Sequence, residues 1–262
     1  MVIPVHDDNP THRRPWVTYL LILLNVVVFF QEPIAQSPIP GETPAAQACR
    51  QEAFFREYAA IPQEVVTNDP LDTTAGAASP AGGCTEVEPD YDKSPALSVL
   101  YAMFLHGGLL HLLGNMLFLW VFGNNVEDRL GRLRYLACYL AWGYVATYVF
   151  AFAFRDSTTV LIGASGAVAG VLGAYLKLFP RARVLSLVPF LLFFPFRLPA
   201  WLVLGSWFAL QYGYSRGAGL TEGSGVAYLA HVAGFVAGFV TLFLLRTTGG
   251  QRPGVRRGRL AS

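Results

Sequence analysis

The chain reads as an all-α, polytopic membrane protein: a bundle of six transmembrane helices with both termini on the cytoplasmic side. Three observations predict this. Only 14% of the 262 residues are charged and 53% are hydrophobic, where soluble globular proteins carry about 25% charged residues. Six apolar runs approach the length of about 20 residues that a helix needs to cross a bilayer. Basic residues collect in every second connection between those runs. The same composition excludes a disordered chain, a collagen-like chain and a disulfide scaffold, and it argues against an ordinary water-soluble enzyme.

The runs are Trp16–Gln31, Gly107–Asn124, Leu133–Phe154, Val160–Phe179, Leu198–Tyr212 and Val226–Leu245, spans 1 to 6. A further apolar stretch, Leu185–Phe196, is too short to cross and is interrupted by Pro189 and Pro195. Lys177, Arg181 and Arg183 precede it and Arg197 follows, so both of its ends prefer one side of the membrane. It reads as an interfacial or re-entrant piece, with a seventh span as the alternative.

Charge then sets orientation. The segment before span 1, the connections between spans 2 and 3 and between spans 4 and 5 together with the adjoining ends of spans 3 and 4, and the tail hold 14 of the 19 Lys and Arg residues. The segment Gln31–Pro95 holds 11 acidic residues and only 3 basic ones. The positive-inside rule therefore places both termini in the cytoplasm and the long segment outside. Arg13-Arg14 followed by an apolar run, with Ala46-Gln47-Ala48 beyond it, has some features of a cleaved signal. The gap of about 15 residues before that site is too long, so span 1 is expected to be retained. The division is a cytoplasmic segment 1–15, a membrane domain 16–245 containing the outer loop 31–95, and a basic cytoplasmic tail 246–262.

In the outer loop, Ala45–Tyr58 predicts a short helix with Phe54, Phe55 and Tyr58 along one apolar edge, resting on the bilayer or on the bundle. Cys49 and Cys84 both lie in this loop, where disulfides persist, and their pairing is open at this stage. Cys138 lies in span 3 and reads as a small packing residue.

Ionisable and polar groups at membrane depth are costly and point to function. Span 5 contains no Asp, Glu, Lys, Arg or His, and span 3 carries only Arg134, at its cytoplasmic end. Span 2 carries His111 and Asn115, with His106 just before it; span 4 carries Ser165, and span 6 carries His231. At a rise of about 1.5 Å per residue, Ser165 and His231 each lie about five residues in from the outer end, roughly 8 Å deep, and Asn115 roughly 12 Å deep. An alcohol, an imidazole and an amide from three spans thus fall near one level, as a nucleophile, a general base and an oxyanion donor would. Taken singly, Ser165 is an ordinary helical serine bonded to its own backbone and His231 a satisfied core histidine; the shared depth argues against coincidence. Gly166-x-x-x-Gly170 in span 4 and Gly234-x-x-x-Gly238 in span 6 predict close approach of those two helices beside Ser165 and His231. Gly163-Ala-Ser165-Gly-Ala167 does not fit the G-x-S-x-G elbow of soluble hydrolases, since Ala167 replaces the last glycine and no strand precedes it. The connection Gly213–Gly225, with five glycines, predicts a deformable outer cap over the site. Span 5, with Trp201, Trp207 and Phe208, then borders a side entrance.

His106-Gly-Gly-Leu-Leu-His111-Leu-Leu-Gly-Asn115-Met, Val-Glu127-Asp-Arg129-Leu-Gly-Arg132, Gly163-Ala-Ser165-Gly-Ala167 and Ala230-His231-Val-Ala-Gly234-Phe-Val-Ala-Gly238 occur in that order over residues 96–245. In combination they resemble the rhomboid intramembrane serine proteases. The resemblance implies a six-helix rhomboid-like bundle with a water-filled cavity open to the outside. It implies Ser165 as nucleophile and His231 as general base in a catalytic dyad. His111 and Asn115 then serve the oxyanion with the Ser165 backbone N–H. It implies transmembrane protein substrates, cut near their outer ends. Two features depart from some members: Ala169 stands where they carry a Tyr that stacks on the histidine, and the outer loop contains no Trp.

The expected partners are therefore transmembrane substrates and membrane lipids, without nucleic acid. No cofactor and no metal is expected, and the sequence leaves the oligomeric state open. The expected location is a bacterial plasma membrane. Two other function classes stand beside the protease: a catalytically inactive rhomboid-like factor that binds membrane proteins or serves quality control, and a small transporter. Inactive relatives usually lose the serine or the histidine, and both are present. A transporter would favour internal repeats and acidic residues in the bundle, and neither is visible.

Overall fold

The computed structural model describes residues 2–34, 36, 39–188, 192–217 and 227–245. The tail 246–262, residues 218–225 of the expected cap and Val226 at the start of span 6 lie outside the described residues. The chain is mostly helical, but not all-α: two small sheets accompany the helices.

Span 1 is helix α1 (Trp16–Phe29). Span 2 is longer than its apolar run. It comprises α5 (Leu109–Phe118), a π-helical turn at Leu119–Gly123, and α6 (Asn124–Leu130). Gly131, with φ +78°, ends it, and α7 (Arg132–Ala153) follows. Leu109–Leu130 and Arg132–Ala153 are the two helices among the described residues that are long and apolar enough to cross a membrane by themselves. Three shorter apolar helices are α1, α8 (Ser165–Leu178) and α10 (Tyr228–Leu244). Span 5 is α9 (Ala200–Arg216), which continues through Gly213–Arg216, so the first residues of the expected cap are helical.

The outer loop is folded. Helix α2 (Pro44–Tyr58) starts where Thr43 accepts the Ala46 N–H on its hydroxyl at 3.2 Å, with proline at the first helical position. Its Phe55 is buried with Ala59 and Leu105, so this helix rests on the bundle. Helix α3 (Pro62–Thr67) ends on Asn68 in the left-handed conformation, a frequent helix stop. Strands β2 (Thr74–Ala78) and β3 (Cys84–Val87) form an antiparallel hairpin, and Cys49 is disulfide-bonded to Cys84, stapling that hairpin to α2. Helix α4 (Pro95–Ala102) leads back to the bundle. Cys138 is a half-buried free thiol packed against the core, as expected of a packing residue.

The stretch Leu185–Phe196 is a hairpin. Strands β4 (Arg183–Val188) and β5 (Phe194–Pro199) pair antiparallel, and β1 (Ile3–Asp7) adds to the other edge of β4. Pro195, which argues against a helix, is tolerated because β5 is an edge strand, and Pro189 lies outside the described residues. Val184, Ser186 and Val188 alternate inward, the period of a half-buried strand. The sheet is tied to the helices by Asp7, whose carboxylate accepts the Tyr175 hydroxyl at 2.6 Å and the Asn125 amide at 2.8 Å.

Helices α8 and α10 make the closest contact in the bundle. A methyl group built on Gly234 would fall on the carbonyl oxygen of Gly166, one on Gly238 on that of Gly170, and one on Gly173 on that of Phe235. Only bare backbone allows helices this close. Trp142 of α7 closes one side of this seam, packing against Gly170 and donating its indole N–H to Thr241 at 3.1 Å.

Candidate active site

Ser165 is the first residue of α8 rather than a residue five positions into a helix. The five residues before it are not helical: 160–163 run as a loop with an isolated bridge at Leu161, and Ala164 turns into the helix in the αR conformation. Leu161 donates its N–H to Ala60 of the outer loop at 2.7 Å, and Gly163 donates to Ala102 at 2.8 Å. Gly163 holds φ +115°, a conformation that suits glycine. That turn delivers the Ser165 hydroxyl at a helix start, where backbone N–H groups have no partner within the helix.

His231 lies in the first turn of α10. Its Nε2 is 2.8 Å from Ser165 Oγ. The alcohol and the imidazole are brought together by the α8–α10 seam, since Gly166 and Gly234, which touch, follow Ser165 by one residue and His231 by three. His231 Nδ1 is 2.8 Å from Gln211 Oε1 on α9. The ring is flanked by Trp207 at 6.0 Å and meets Tyr228 edge-on at 6.4 Å. Ala169, where some rhomboids carry the stacking Tyr, is fully buried at the seam and lies 3.4 Å from where a Gly234 methyl would stand. Aromatic support for the imidazole thus comes from α9 and α10 rather than α8.

His111 closes the opposite side. A methyl group at Gly163 would lie 2.8 Å from the His111 ring and 3.7 Å from Ser165 Oγ, so the glycine is the spacer between the two. The Gly107 N–H donates to His111 Nδ1 at 3.4 Å, and His106 meets His111 edge-on at 5.1 Å. Asn115 is buried one turn further along α5 and donates its amide to the His111 carbonyl at 3.2 Å; among the hydrogen bonds of the described residues it has none to Ser165. The structure therefore brings Ser165, His231 and His111 around one point, with Asn115 behind His111.

Glu32, just beyond α1, is fully buried and accepts the His106 backbone N–H on both oxygens, at 3.0 and 3.2 Å. Burial pushes its carboxyl up to about 8, against the pull of that hydrogen bond. The described residues contain no cluster of His, Cys, Asp and Glu able to hold a metal.

The sequence does not mark Gln211 or Glu32 as site residues, and it places Trp207 at the side entrance rather than beside His231. Asn115 stands out beside His111 in its span, whereas the span of Gln211 holds no histidine or charged group, and Glu32 lies outside the apolar runs. The signal for Gln211 is its place as a lone amide in an otherwise apolar run.

Residues 94–248 match the family model described as "Rhomboid domain". The chain is 32% identical over 157 residues to Rhomboid protein 1, mitochondrial, of Saccharomyces cerevisiae, covering 58% of this chain and 42% of that protein. It is 34% identical over 95 residues to Presenilin-associated rhomboid-like protein A, mitochondrial, of Danio rerio, covering 35% and 24%. RHOMBOID-like protein 6, mitochondrial, of Arabidopsis thaliana is 25% identical over 167 residues, covering 64% and 52%. The chain thus spans between about a quarter and half of these relatives' lengths. With the family model matching more than half of its length, the chain belongs to the rhomboid family, whose members are integral membrane proteins and usually serine intramembrane proteases.

Proposed function

We propose that this protein is an intramembrane serine endopeptidase that cleaves transmembrane helices of membrane-protein substrates near their extracytoplasmic ends. The observation that carries the proposal is the 2.8 Å contact between Ser165 Oγ and His231 Nε2 at the converging ends of α8 and α10. Ser165 Oγ attacks the scissile carbonyl carbon while Nε2 accepts its proton. The oxyanion that forms is stabilised by the Ser165 backbone N–H, His111 and Asn115, at the positive end of α8. Asn115 reaches it by exchanging its bond to the His111 carbonyl. The imidazolium then protonates the leaving amine, and water, activated by the same imidazole, releases the acyl group from Ser165. Neither step calls for a cofactor.

We read the membrane as crossed six times, with both termini and the β1–β4–β5 sheet cytoplasmic and the loop 31–95 outside, on a bacterial plasma membrane. The Cys49–Cys84 disulfide supports an oxidising outer compartment for that loop.

The test uses purified protein in detergent and in liposomes with a transmembrane substrate. Ser165→Ala and His231→Ala should each abolish cleavage, and Ser165→Ala should abolish labelling by a fluorophosphonate. Appreciable turnover by either variant rejects the dyad. A wild-type protein that neither labels nor cleaves leaves a non-catalytic rhomboid-like binding factor.

A further inference from the structure

A neutral imidazole carries one N–H and one lone pair, and the two ring nitrogens can exchange these roles. Only the tautomer with its lone pair on Nε2 can take a proton from Ser165. Nothing in a serine–histidine pair by itself selects that tautomer.

Gln211 is placed to select it. Its side-chain oxygen lies 2.8 Å from His231 Nδ1 and can only accept, so the proton belongs on Nδ1 and the lone pair on Nε2, which faces Ser165 Oγ at 2.8 Å. The opposite tautomer would set two lone pairs against each other at that separation. Gln211 is buried, so water does not compete for this bond. Trp207, one helical turn earlier on the same face of α9, lies beside the imidazole and stacks on Phe235 of α10. One face of α9 therefore supplies both the hydrogen bond that fixes the ring's tautomer and a wall that fixes its plane. An amide does this without a second buried charge, which would be expensive at membrane depth.

Resting on the Ser165–His231 reading, we infer that Gln211 is the positioning residue of the dyad: it holds His231 in the tautomer and orientation that accept the Ser165 proton.

The inference is tested with Gln211→Leu, which keeps the bulk and removes the acceptor, and Gln211→Glu, which keeps an acceptor. The readouts are kcat and KM on a transmembrane substrate, the rate of acylation by a fluorophosphonate, and the 15N shifts of His231. Gln211→Leu should lower kcat and acylation by about 10²-fold, as misplacing a reacting group does. Its KM should stay within about twofold, because ground-state binding is untouched. The 15N signature of a protonated Nδ1 should weaken with it. Gln211→Glu should acylate at least about tenfold faster than the Leu variant, since a restored acceptor again fixes the tautomer. Wild-type acylation by Gln211→Leu overturns the inference. If that variant does not fold, the Glu variant decides: a folded Gln211→Glu without acylation overturns the inference, and acylation with a protonated Nδ1 upholds it. Ser165→Ala separates the two readings: residual labelling there rejects the dyad itself, whereas a dead Ser165→Ala beside a fully active Gln211→Leu rejects only the role of Gln211.

Discussion

Thr18 donates both its backbone N–H and its hydroxyl to one carboxylate oxygen of Glu127, each at 2.8 Å. The second oxygen takes the Val17 N–H at 3.1 Å. Helix α1 has no side-chain cap of its own, so a carboxylate from α6 caps it across the bundle, at the positive end of its dipole. Glu127→Ala should therefore strand buried donors and destabilise the protein by about 3 kcal/mol. Thermal unfolding in detergent measures this; an unchanged midpoint would mean that water replaces the carboxylate.

Gly234→Val should damage stability and activity together. Its added carbons meet the Gly166 carbonyl directly, and pushing α10 away separates Ser165 from His231. A shift of about 1 Å at a reacting pair costs about 10²-fold in rate. Gly205→Ala is the matched control: no heavy atom lies within 4 Å of the new methyl, and the variant should gain about 0.4–1 kcal/mol. Normal cleavage by Gly234→Val in detergent would dissociate the helix contact from the chemistry.

Replacing Cys49 and Cys84 by Ser opens a link between residues 35 apart in sequence. Loop-closure entropy for that length corresponds to about 3–4 kcal/mol. The loosened outer lobe carries Ala60, whose carbonyl accepts the Leu161 N–H four residues before Ser165. Hydrogen exchange at Leu161 should accelerate in the double variant. Exchange as slow as in the disulfide form would show that the lobe holds its shape without the staple.

Glu32 gives the fold a pH dependence of definite sign. Its folded value of about 8 lies above the ordinary 4.5 of a glutamate, so the folded state binds the extra proton. The stabilisation is complete below about 4.5 and is lost as pH rises through about 8. Glu32→Gln mimics the protonated form and should flatten the fall in thermal midpoint between pH 5 and pH 9. Parallel wild-type and variant curves would assign the slope to other groups.

The positions of Ser165 and His231 were legible because few polar residues interrupt the apolar runs, and small residues beside them mark the helix faces that touch. The Cys49–Cys84 bridge was legible only as a pair of candidates, since spacing does not choose partners. Other features depend on partners distant in sequence and leave no local pattern. Pro4 and His6 in β1 do not look like a strand until Ser186 and Leu185 supply the edge they pair with. Glu127 stands in a motif of the family resemblance, but its role as a cap for α1 appears only when Thr18 is brought to it. Gln211 is an uncharged side chain, and its importance comes from the ring it faces. The apolar run of span 4 begins five residues before α8 because hydropathy does not distinguish the non-helical stretch 160–164 from the helix that follows.

The glycine seam has a consequence for how the protein responds to its lipid. Where α8 and α10 meet, the gap between Ser165 and His231 is set by backbone against backbone, with no compressible side chain between them. A thinner or thicker bilayer tilts helices, and α8 and α10 will tilt as one body. The chemical step should then be nearly indifferent to acyl-chain length, with the dependence on host membrane falling on how substrates enter and leave.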